Sequence, residues 1–181
     1  MEELALHILD LAQNCIAAGA SEIAITIIED RAANRLTITV ADDGRGMEPE
    51  MLQSVTDPFF TTRTTRRVGL GLPLLQAAAE LCAGGLTIVS TVGRGTTVRV
   101  EFAHDHIDRA PLGSMADTLA AILAVNFEVE VVYRHEVDDR VFVFDSRELR
   151  EICEGTMQHP KIIQWLKEYI ALQERLLGGE Q

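Results

Sequence analysis

The stretch "RLTITVADDGRGM", residues 35–47, decides how the rest of the chain is read. Apolar and polar side chains alternate from Leu36 to Val40, the period of a strand with one buried face. The strand then meets two acids, Asp42 and Asp43, and a Gly-x-Gly at Gly44 and Gly46, a poor way to continue a sheet. A carboxylate at a sheet edge can accept a hydrogen bond from an exocyclic amine, and small glycines beside it admit a flat ring. In isolation, an acidic β-turn would look the same.

Upstream lies a partner strand, "EIAITIIED" at 22–30, joined through a short polar turn around Asn34. Before it, residues 3–18 read as an amphipathic helix with Leu4, Ile8, Leu11 and Cys15 on one stripe, stopped by Gly19. Asp10 and Asn14 are four residues apart on that helix and share a face. An amide oxygen can bind a hard cation such as Mg2+, and a carboxylate one turn away can orient or deprotonate a water. The alternative is a solvated polar face.

Downstream, "EPEMLQSV" reads as one short helix and "TDPFFTTRTTRRVG" as a loop without period. "RRVGLGLPLLQAAAEL" sets Gly69 and Gly71 just before a helix with Pro73 in its first turn. Free backbone donors and the positive end of a helix dipole then face one point, which favours an anion. A plain loop-to-helix turn would share the pattern. Two strands, "GLTIVSTVG" and "GTTVRVEF", follow through a Gly93–Gly95 turn.

The texture changes after residue 103. A polar linker, "AHDHIDRAPLG", leads to a capped helix in "SMADTLAAILAVN" and a hairpin of "FEVEVVYRHE" and "DRVFVFD". Helices around 147–154 and 160–177 finish the chain. The expected organisation is a domain over 1–103 and an α+β extension over 104–181, with the hairpin either continuing the first sheet or forming a second layer. "HDH" at 104–106 reads as solvated linker.

Over 181 residues the net charge is −12, which disfavours general nucleic-acid binding. No apolar run reaches the ~18 residues of a membrane span, and the N-terminus carries acids where a signal peptide carries positive charge. The expected compartment is the cytoplasm, with no membrane. Cys15, Cys82 and Cys153 are far apart in apolar contexts and read as buried reduced thiols.

Taken in order, "LDLAQN", "DDGRGM", "DPFFTTR", "VGLGL" and "GRGTT" resemble the nucleotide-binding boxes of the GHKL ATPase superfamily, over roughly residues 4–103. That superfamily includes histidine-kinase catalytic domains, MutL-type repair proteins, gyrase subunits and anti-sigma serine kinases. The resemblance implies a two-layer α/β sandwich with helices on one face of a mixed sheet. It implies ATP and Mg2+ as cofactors, with Asn14 the metal-ligating asparagine and Asp10 where ATPase members carry a catalytic Glu. Asp42 corresponds to the acid that reads the adenine amino group, with Gly44 and Gly46 in the close turn and Thr97 beside it. "DPFFTTR" resembles the lid, placing Thr61, Thr62 and Arg63 near the nucleotide, and Gly69, Leu70, Gly71 and Leu72 resemble the phosphate-covering turn.

Two departures bear on activity. Asp10 is one methylene shorter than Glu, so hydrolysis is expected to be slow or absent. No phosphoacceptor-histidine helix is seen, and few residues precede Asn14. The resemblance therefore implies a protein partner, either a separate phosphoacceptor or a target serine, and leaves a homodimer open. The leading expectation is a kinase or ATPase acting on that partner; the alternative is an ATP-gated binding switch with little turnover.

Overall fold

In a computed structural model, the described residues are 3–55, 71–152 and 159–178. Leu4–Ala17 form helix α1, Glu22–Asp30 strand β1 and Arg35–Asp42 strand β2. Pro49–Val55 form α2 and Gly71–Leu81 α3, followed by β3 (Gly85–Thr91) and β4 (Gly95–Ala103). The remainder supplies α4 (Met115–Val125), β5 (Glu130–Val137), β6 (Arg140–Asp145), α5 (Ser146–Ile152) and α6 (Pro160–Gly178).

The strands make one six-stranded sheet in the order β3-β4-β2-β1-β5-β6. All neighbours are antiparallel except β1 and β5, which run parallel. Of the two placements left open for the second hairpin, it takes the one within the sheet. Period-2 alternation sends Ile23, Ile25 and Ile27 of β1 to one face, beside Leu36, Ile38 and Val40 of β2 and Val131 and Tyr133 of β5. Helices α1, α3, α4 and α6 cover that face, and all contribute to a single hydrophobic core. The opposite face is partly solvated and carries the pairs Arg99–Glu101 and Arg134–Glu136, each at 2.6 Å.

Local chemistry explains the element ends. Ser114 caps α4 by accepting the Asp117 N–H at 3.1 Å. The start of α1 is tied to the linker by Leu4 and Ala5 N–H groups donating to Pro111 and Leu112 carbonyls. Cys15 and Cys82 are buried free thiols, while Cys153 lies outside the described residues. None of the described helices is long and apolar enough to cross a membrane.

Candidate functional site

Strand β2 ends by delivering Asp42 to the helix-covered face, in step with Val40. The Gly44 N–H donates to Asp42 Oδ1 at 2.8 Å and fixes the carboxylate in place. Two close approaches require the absence of a side chain. Gly46 has φ +67°, and a Cβ there would collide with the Thr91 carbonyl; Gly95 has φ +100°, and a Cβ there would collide with the Asp42 carbonyl. The loop after β2 is further pinned by Met47 N–H to Ser90 Oγ at 2.9 Å, Arg45 N–H to the Ala18 carbonyl at 3.0 Å, and Gly93 N–H to the Arg45 carbonyl at 2.8 Å.

The two acids of "ADD" do different work. Asp43 turns away and accepts the Ser21 and Glu22 N–H groups at 2.7 and 2.9 Å, together with the Ser21 hydroxyl. The Ser21 hydroxyl and the Glu22 N–H hold its carboxyl below the usual range. Asp43 therefore anchors the start of β1, and Asp42 alone faces the pocket.

That pocket lies between α1, the end of β2, α2, α3 and β4. Leu11, Asn14, Cys15 and Ala18 line it from α1 and the residue after it; Val40, Asp42, Gly46 and Met47 from β2 and its loop; Met51, Val55 and Leu72 from α2 and α3; and Thr96 and Val98 from β4. The lining is mostly apolar with a few polar groups at one end, the pattern of a small-molecule site. Cys15 sits beside Asp42, and burial, followed by the neighbouring carboxylate, pushes its thiol far up, so it stays protonated.

Asn14 is exposed at the pocket's edge, and its carboxamide has no hydrogen-bond partner among the described residues. Asp10, one turn back and also exposed, packs against the first residue of α3: its Oδ2 would lie 3.4 Å from a Cβ on Gly71. Among the described residues no cluster of three His, Cys, Asp or Glu side chains could hold a metal alone. A cation here would rely on Asn14, waters and ligand phosphates, which suits Mg2+.

The structure thus brings Asn14, Asp42, Gly46 and Leu72 together at one pocket, with Gly44 behind Asp42 and Asp10 beside Gly71. It places Thr97 elsewhere. Asp42 is paired across β2 and β4 with Thr96, and Thr97 with Ala41, so Thr97 points to the other face. Thr96 is the pocket threonine, with its Oγ1 2.8 Å from Ser90 Oγ. The alternation of Val98, Val100 and Phe102 on the core face carried that signal. Cys15, Met47, Met51 and Val55 were missed as pocket walls because burial alone does not distinguish core from cavity lining. Thr61, Thr62, Arg63, Gly69, Leu70 and the expected lid lie outside the described residues.

A second polar cluster lies at the far end of β1. His135, buried on β5, has Nε2 3.0 Å from Glu29 Oε1 and Nδ1 2.8 Å from Glu174 Oε2. Tyr133 donates its hydroxyl to Glu174 at 2.9 Å. His104 Nε2 lies 2.7 Å from the other Glu29 oxygen, which corrects the reading of "HDH" as solvated linker. Burial opposes charge on His135, but hydrogen bonds donated to Glu174 and Glu29 outweigh it and raise its pKa to about 9. Glu29 is lowered to about 2, first by His135, against burial, and with help from His104.

A family model described as histidine kinase-, DNA gyrase B-, and HSP90-like ATPase matches residues 2–106. A putative sensor protein of Shewanella frigidimarina is 35% identical over 104 residues, covering 56% of this chain and 16% of that protein. Sensor histidine kinase ZraS of Salmonella typhi is 31% identical over 100 residues, covering 55% and 21%. Sporulation kinase C of Bacillus subtilis is 32% identical over 92 residues, covering 51% and 21%. The matched part is thus between 16% and 21% of these relatives' own lengths. Among solved structures, the catalytic domain of histidine kinase ThkA matches with a TM-score of 0.45 and 23% identity, covering 57% of this chain and 68% of that one.

Proposed function

Because this chain belongs to the histidine kinase-, DNA gyrase B-, and HSP90-like ATPase family, we propose that it binds ATP with Mg2+ and acts through it on a protein partner. Residues 2–106 are an ATP-binding domain of the histidine-kinase type. The observation that carries the finer reading is Asp42, a carboxylate oriented by Gly44 at the polar end of an otherwise apolar cleft. After serving Gly44 and Cys15 it retains acceptor capacity for the exocyclic amine of adenine. The apolar walls from Val40, Met47 and Leu72 suit the faces of the base.

From Asp42 the polar groups run outward along α1. This reading gives Asn14 the role of Mg2+ ligand and Asp10, one turn away on α1, that of orienting a water or an incoming hydroxyl. Helix α3 opens at Gly71, beside Asp10, and the N–H groups of a helix start suit phosphate oxygens. Bound Mg2+ supplies charge neutralisation across the phosphates, and positioning supplies much of the rest. Transfer to a partner is the favoured chemistry. Asp10 is short and already packed on Gly71, which supports the second reading, an ATP-gated switch with little turnover.

Single-turnover reactions with ATP labelled on its γ-phosphate test the proposal. Label released as phosphate or carried onto protein, dependent on Mg2+ and lost in Asp42→Asn, is the expected result. Binding without either product would favour the switch. Failure to bind ATP or ADP would overturn both.

A further inference from the structure

Helix α6 buries one stripe, Leu166, Ile170 and Leu177, against the core. It carries a second apolar stripe, left largely open among the described residues. Trp165, Leu172 and Leu176 are 50%, 46% and 53% exposed, and Tyr169 lies among them, partly buried. Their spacing of four, three and four residues is a heptad seam, with d at Trp165 and Leu172 and a at Tyr169 and Leu176. Within the seam the Trp165 and Tyr169 rings stack at 5.4 Å and 7°, and Tyr169 meets Phe142 of β6 edge-on at 6.0 Å. Lys167, on the other side, binds Asp117 of α4, so the seam faces outward at the edge of the helical layer.

The charges beside the seam say what covers it. Glu168 and Arg175 occupy successive g positions, and both are exposed. Neither forms an ion pair among the described residues; Glu168 only accepts a bond from Gln164. In an antiparallel pair of heptad helices, a residues meet d residues and g positions flank facing g positions. A two-fold axis between Tyr169 and Leu172 sets Trp165 against Leu176 of the second copy and Tyr169 against Leu172. The same axis sets Glu168 against Arg175, twice. A parallel pair would set Glu168 against Gln173, with no opposite charge. The surface is thus self-complementary under two-fold symmetry. We propose that α6 pairs antiparallel with α6 of a second copy of this chain, through Trp165, Tyr169, Leu172 and Leu176, with reciprocal Glu168–Arg175 ion pairs.

Sedimentation equilibrium of the full chain, with Trp165 fluorescence during dilution, tests the pairing. Trp165 is the sole tryptophan, so its emission should shift to longer wavelength as the dimer dissociates. Glu168→Arg or Arg175→Glu alone turns two attractions into two repulsions and should raise the dimer dissociation constant about tenfold. An equimolar mixture of the two variants should recover the dimer, as should the double swap in one chain. Leu172→Glu should abolish it while circular dichroism stays unchanged. A chain that is monomeric up to about 0.1 mM, a dimer indifferent to all these variants, or charge variants that are not rescued by mixing would each overturn the proposal.

Discussion

Asp42 and Thr96 stand opposite each other across the β2–β4 ladder, on the face that lines the pocket. The pairing makes the adenine assignment testable at two positions. Asp42→Asn keeps the oxygen that accepts from Gly44 yet loses the acceptor for an amine. An unpaired buried polar group costs roughly 1–3 kcal/mol, or about 5- to 150-fold in affinity. Calorimetric titration with ADP should show that loss, with the melting temperature nearly unchanged. Thr96→Val should also weaken ADP, and Thr97→Val should not.

If Asn14 holds Mg2+ as proposed, Asn14→Ala should remove the Mg2+-dependent part of ATP affinity, because its carboxamide lines the pocket's edge. The comparison is ATP affinity with and without Mg2+ in each protein. A mutant that keeps the full Mg2+ effect would sink this role.

Gly46→Ala forces a Cβ onto the Thr91 carbonyl at a positive φ. Relief requires the loop after β2 to move, so the variant should lose more than about 1 kcal/mol of stability and also bind ADP poorly. Urea unfolding measures the first effect and calorimetry the second.

The His135–Glu29 pair predicts a pH profile. His135 is raised to about 9, so its stabilisation is complete below its ordinary value of 6.5 and disappears as pH climbs through 9. Glu29 is lowered to about 2, so its contribution is present above 4.5 and disappears as pH falls through 2. Thermal melts should therefore be flat between 4.5 and 6.5 and decline toward pH 9. In His135→Gln the alkaline decline should vanish at a lower overall melting temperature.

A fragment ending at residue 103 should be insoluble or unable to bind ATP. It would expose the edge of β1 that β5 covers and the side of α1 that packs on α4. A soluble fragment with full ATP affinity would instead make residues 104–181 an independent module.

Much of this architecture was legible because local signals agreed. β1 and β2 carry an alternating apolar pattern, broken at Ile28 and at the buried Thr37, and their limits match the stretches 22–30 and 35–42 read from the sequence. The Gly71–Pro73 start and the Ser114 cap located α3 and α4. Sheet order was not legible, since parallel pairing of β1 with β5 leaves no turn to read. Motif position points to Thr97, whereas the strand's own alternation points to Thr96. The His135 cluster joins β1, β5, α6 and the residues after β4, and no local pattern announces such a meeting.

The parallel β1–β5 pairing also bears on how the chain is made. Ile25 must wait for Tyr133 before its strand gains a second neighbour. At a synthesis rate of about 5–20 residues per second, roughly a hundred residues take some 5–20 s to follow. During that interval a β1–β2 hairpin on the ribosome has an open edge and an apolar face. Helix α4, which packs on α1, emerges only shortly before β5. Folding of this protein is therefore closed by its late segment, and the nascent chain before that point is the species most in need of a chaperone.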